Sequence, residues 1–101
     1  MRLYYVLDDD GRPKAVSDVI EWGKWYADPR RQVADTMIGD VRISKVFLGL
    51  DHSFHDCGPP VLWETMVFGG VLNGEQDRYT SRDAAVAGHA ETVQRVRATL
   101  Q

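Results

Sequence analysis

The stretch LDHSFHDCGPP, residues 50–60, places Asp51, His52, His55, Asp56 and Cys57 within one short segment. These are the side chains that bind Zn²⁺ or drive nucleophilic chemistry. His52, His55 and Cys57 would supply nitrogen and sulfur donors, and Asp51 or Asp56 could complete a four-coordinate shell. The spacing, however, fits no recognised ligand pattern: there is no C-x-x-C pair and no H-E-x-x-H helix. Cys57 could act as a nucleophile with His55 as its base, but a reactive thiol needs a lowered pKa. Pro59-Pro60 leads into a strand, so no helix N-terminus follows Cys57 to stabilise a thiolate. A polar segment ending in Gly-Pro-Pro is also how an ordinary connection is built. The spacing favours the connection, with Asp51 and His52 its two members of interest and His52, His55 and Cys57 only weak metal candidates.

A second candidate follows directly. In VLWETMVFG, period-two alternation places Leu62, Glu64, Met66 and Phe68 on one face of a strand and Val61, Trp63, Thr65 and Val67 on the other. Both rows are largely apolar, so Glu64 is expected to be partly buried, and a buried carboxylate needs a partner or a raised pKa. His89 lies in an apolar stripe of the last helix and is expected to meet Glu64 across the helix–sheet interface. Asp51, His52, Glu64 and His89 thus form the candidate polar site; satisfaction of two buried polar groups is the simpler role for the Glu64–His89 pair.

The elements that would position these residues are legible by period. Leu3 to Leu7 reads as a strand that stops at the turn Asp8 to Pro13. The turn matches a calcium loop only at Asp8 and Asp10, with Gly11 too early. From Asp18 to Ala27, Val19, Trp22, Trp25 and Tyr26 recur at helical spacing behind an Asp18/Glu21 capping box. Gln32 to Ile38 and Val41 to Leu48 read as strands joined at Gly39-Asp40, and Val61 to Gly69 as a central strand. After Asn73-Gly74 come a brief strand at Asp77 to Tyr79 and a helix capped by Ser81 that runs to Thr99 with the stripe Val86, His89, Val93, Val96 and Leu100. The expected fold is α+β: a mostly antiparallel sheet of four to five strands with two helices packed on one face. The aromatic set Trp22, Trp25, Tyr26, Phe47, Trp63 and Phe68 is expected mostly in the core. The row Val61, Trp63, Thr65 and Val67 is apolar enough to require a cover, for which a homodimer is the expectation.

The chain of 101 residues is expected to form a single domain, residues 1–101. Its net charge of −3, with arginines scattered among the acids, gives no nucleic-acid footprint. The lone cysteine cannot form an internal disulfide. MRLYYVLDDDG shows no signal-peptide pattern, and no apolar run approaches about 18 residues. A cytoplasmic protein without membrane segments or cofactors is expected.

The segments VFLGLDHSF, PPVLWETMVFGG and the helix start DRYTSRDAAVAGH resemble a family of small uncharacterised proteins associated with bacteriophages, prophages and bacterial genomes. The resemblance spans about Val41 to Val96, and its most distinctive parts are Glu64 to Gly70 and Ala87 to His89. It carries over no catalytic residue; it implies a phage-linked accessory protein in a bacterial host. Two functions follow. The first is a small non-enzymatic protein that binds a host protein, conceivably an inhibitor of a defence system such as CRISPR. It is favoured by small size and the lack of a recognisable catalytic constellation. The second is a small enzyme or a ligand- or metal-binding domain using the polar site around Asp51, His52, Glu64 and His89.

Overall fold

The computed structural model describes residues 4–51 and 58–101. The chain opens with an antiparallel hairpin of β1 (Tyr4–Leu7) and β2 (Pro13–Val16), in which Tyr4 faces Val16 and Leu7 faces Pro13. Its turn is held from inside: Asp8 Oδ1 accepts the N–H groups of Asp10 and Arg12, both at 2.9 Å. β2 has no strand signature in the sequence. Pro13 stands at its first position, where a missing N–H is tolerated, and Lys14 and Ala15 are exposed.

Helix α1 (Val19–Tyr26) begins where the capping signal placed it, with Asp18 Oδ1 accepting from Ile20 at 2.9 Å. It packs on the hairpin, where the Trp22 ring lies 4.9 Å from that of Tyr4. Trp22 Nε1 donates to the Gly49 carbonyl at 2.9 Å, and Trp25 meets Phe47 edge-on. A short 3₁₀ turn (Pro29–Arg31) then delivers the chain to the main sheet.

That sheet is an antiparallel meander of β3 (Gln32–Ile38), β4 (Val41–Phe47), β5 (Trp63–Phe68) and β6 (Gln76–Tyr79), in the order β3-β4-β5-β6. The β3–β4 turn uses Gly39 at φ +58°, a conformation that side chains disfavour. Helix α2 (Arg82–Thr99) starts at Ser81, whose hydroxyl accepts from the Ala84 N–H at 3.1 Å, and lies across one face of the sheet.

The α+β class is therefore as the sequence indicates, with its six strands divided between a four-stranded and a two-stranded sheet. The covered face carries two apolar clusters. One joins Leu7, Phe47, Leu62, Trp63 and Ala85; the other joins Val41, Ile43, Val67 and Val96. Side chains of this size contribute about 1.5–3 kcal/mol each on full burial. Between the clusters runs a polar belt: Lys45 on β4, Thr65 opposite it on β5, and His89 and Thr92 on α2, all buried. The helical stripe is rotated from expectation. Ala85, His89, Thr92 and Val96 face inward, while Val86 and Leu100 are about half exposed.

Candidate functional site

Of the polar segment that opened the sequence reading, His52, His55, Asp56 and Cys57 lie outside the described residues, and the weak metal candidates with them. Asp51 is described: its Oδ1 accepts the Val61 N–H at 2.8 Å, tying together the two ends of the connection between β4 and β5. Among the described residues no three His, Cys, Asp or Glu side chains gather as a metal-binding group.

The expected approach of Glu64 to His89 is not made. The β4–β5 register puts Glu64 opposite Val46, on the face away from α2, where its carboxylate accepts from Arg78 Nε at 2.9 Å. His89 lies on the other face and shares a 3.0 Å hydrogen bond with Thr36 Oγ1 on β3. Which of the two atoms donates depends on the imidazole tautomer. The physical reason is strand alternation: odd-numbered residues of β5 face the helix and even-numbered ones do not. The same alternation corrects the expected dimer surface. Trp63, Thr65 and Val67 are covered by the chain's own α2, so that row needs no second copy.

Beneath α2 the belt contains a residue that the sequence reading passed over. Lys45 occupies an inward row with Val41, Ile43 and Phe47 and is only 5% exposed. Burial, and then the positive charge of Arg82, push its ammonium below the ordinary lysine value. His89 is likewise pushed down, first by burial and then by Lys45, against an upward pull from Asp35. Its Nδ1 has no hydrogen-bond partner among the described residues. The Thr65 hydroxyl has none of good geometry either, although it lies near enough to the Tyr79 phenol to oppose the rise that burial imposes there. The signal for Lys45 was present in VRISKVF, where it interrupts an apolar period-two row.

The opposite face of the sheet is uncovered by either helix. Met37 is 62% exposed and Phe68 41% exposed on it, on either side of Arg42, with Met66 and Val46 half-buried farther along the same face. Arg42 bridges this patch: its guanidinium pairs with Asp35 at 2.9 Å and lies 5.5 Å from the centroid of the Phe68 ring. Phe68 and Tyr26 thus leave the expected aromatic core for the surface. This arrangement can bind, since aromatic, methionine and arginine side chains are those enriched at protein interfaces.

Among the described residues no helix is long and apolar enough to cross a membrane. Comparison of the chain with protein-family models, curated proteins and solved structures finds no match.

Proposed function

We propose that the protein is a small phage-linked accessory protein that acts by binding a host protein through the open face of its four-stranded sheet. The observation that carries this reading is the pairing of exposed Met37 and Phe68 with Arg42 on a face that neither helix covers. The Arg42–Asp35 pair stands among these apolar side chains and the Arg78–Glu64 pair farther along the same face, a mixture of methionine, aromatic and arginine groups of the kind enriched at interfaces. The phage link rests on the sequence resemblance; small size and the lack of a recognisable catalytic constellation favour a host protein, such as a component of a defence system like CRISPR, as the target class.

The test is affinity capture from a bacterial lysate with the wild type and with the double variant Met37→Glu/Phe68→Glu, followed by quantitative mass spectrometry. Unchanged circular dichroism would show that the variant folds. A partner anchored on this face should lose about 2 kcal/mol or more of binding, roughly thirtyfold in affinity. One stoichiometric partner that disappears with the variant supports the reading. A partner retained equally by both proteins, or no partner at all, overturns it. Light scattering on the same samples distinguishes a second copy of the chain on this face from a host protein.

A further inference from the structure

The two edges of the main sheet, β3 and β6, are built differently. An edge strand presents a row of unpaired backbone groups, which proteins blunt by shortening the strand or charging it. β6 has four residues and carries Asp77 and Arg78. β3 has seven, and its one charge, Asp35, is already neutralised by Arg42 at 2.9 Å. Ile38 pairs with Val41 across the two-residue Gly39-Asp40 turn, and the pair that flanks such a turn is hydrogen-bonded. By alternation the backbone groups of Ile38, Thr36 and Ala34 turn toward β4, while those of Met37 and Asp35 turn outward. Among the described residues no backbone group meets these outward ones.

Exposed apolar side chains gather along the same edge. Val33 and Met37 stand on the strand itself. On α2, Gly88 precedes the inward His89 and abuts Tyr79 of β6, so Val86, which follows the inward Ala85, lies on the opposite flank, toward β3. Leu100 ends that flank, its Cδ1 3.9 Å from where a Cβ would stand on Gly39. A strand laid against β3 would satisfy the outward groups and pass beneath the half-exposed Val86 and Leu100.

β3 is suited to an antiparallel copy of itself. The faces of two joined sheets line up only when the two-fold axis passes beside a residue. An axis beside Asp35 would set two carboxylates opposite each other, which is destabilising. An axis beside Thr36 sets Asp35 against Met37 of the second copy and Ala34 against its Ile38, a small side chain against a large one. It also joins the very backbone groups that point outward, and an axis nearer either end pairs fewer residues.

We propose that two copies of this chain pair antiparallel along β3, about a two-fold axis beside Thr36, and merge their four-stranded sheets into one. The open faces then become continuous, with Met37, Arg42 and Phe68 of both copies on one surface. The pairing needs no host protein and stands apart from the host-binding reading.

The test begins with light scattering on the full chain over a wide range of concentration, where a mass twice that of the chain is expected; a monomer throughout overturns the proposal. Asp35→Pro removes one outward N–H without touching the β3–β4 ladder; with unchanged circular dichroism its mass should halve, and a persistent dimer overturns the edge as the seam. Thr36→Cys with Cys57→Ser, which removes the one native cysteine, locates the axis. Directly opposed residues of a non-hydrogen-bonded pair stand about 4.5 Å apart at Cα, within disulfide reach. Mild oxidation should link Thr36→Cys into dimers and leave Asp35→Cys, offset from its own counterpart by two residues, largely unlinked; the reverse preference overturns the register. Phe68→Glu, two strands from the seam, should keep the dimer whole, so loss of a captured host protein and loss of the dimer are read separately.

Discussion

Gly88 in the middle of α2 offers a substitution whose sign can be worked out from the fold. In an ordinary helix interior, alanine is favoured over glycine by about 1 kcal/mol. At this position a Cβ would overlap the hydroxyl oxygen, Cζ and Cε1 of Tyr79. Tyr79 packs against the first apolar cluster and faces Trp63 across the β5–β6 pairing, so its ring can yield only by leaving that contact or by lifting the helix. Overpacking of this kind costs about 1–3 kcal/mol, and displacing a half-buried ring forfeits part of the roughly 1.5–3 kcal/mol that full burial contributes. After the helical gain is subtracted, Gly88→Ala should be less stable than the wild type by about 1–2 kcal/mol. For a domain of this size that is a fall in Tm of roughly 5–15 °C. Urea unfolding and calorimetry measure it directly. The argument also requires a reversal: in a Tyr79→Ala background the steric cost is gone, and Gly88→Ala should stabilise by about 0.5–1 kcal/mol. A rise in Tm for Gly88→Ala alone would refute the reasoning.

Two further outcomes are expected. His89 has a depressed pKa in the folded state, so between that value and the unfolded value of 6.5 the unfolded chain binds more protons than the native one. Its contribution is complete above 6.5 and is lost as pH falls through the window; urea midpoints from about pH 7 to pH 5 should therefore decline in the wild type and decline less in His89→Gln. Asp51→Ala leaves the Val61 N–H without its carboxylate acceptor and should cost about 1.5–3 kcal/mol; a loss below about 0.5 kcal/mol in urea unfolding would show that this bond does not hold the connection in place.

Most of the architecture was legible because the chain announces its elements locally. Asp18 and Ser81 cap the helices they were expected to cap, and Gly39-Asp40 turns the β3–β4 hairpin. β2 was not legible, since PKAV has a strand's geometry without its hydrophobic alternation and acquires its pairing only from β1. The candidate site was harder for a specific reason. Both rows of β5 are largely apolar, so hydropathy alone could not say which one α2 covers, and Glu64 was placed near His89 when they lie on opposite faces. The helical stripe was right at His89 and Val96 but left out the buried Ala85 and Thr92, which hydropathy weights little, while the apolar Val86 faces water. Lys45, by contrast, could have been found, because VRISKVF places it in register with three apolar residues.

The belt of Lys45, Thr65, His89 and Thr92 also decides how the helix is aligned along the sheet. With valines throughout, α2 could shift by one turn, about 5.4 Å, and still bury an apolar stripe. With the belt in place such a shift would pull the imidazole away from Thr36 and drive it among the side chains of one apolar cluster, while Lys45 and Thr65 would meet Ala85 or Val93. The His89–Thr36 bond so lost costs about 1–3 kcal/mol, a bias against the alternative. The belt is a molecular latch: it forfeits some of the burial that a continuous apolar core would supply, and in exchange the helix has one place to stop.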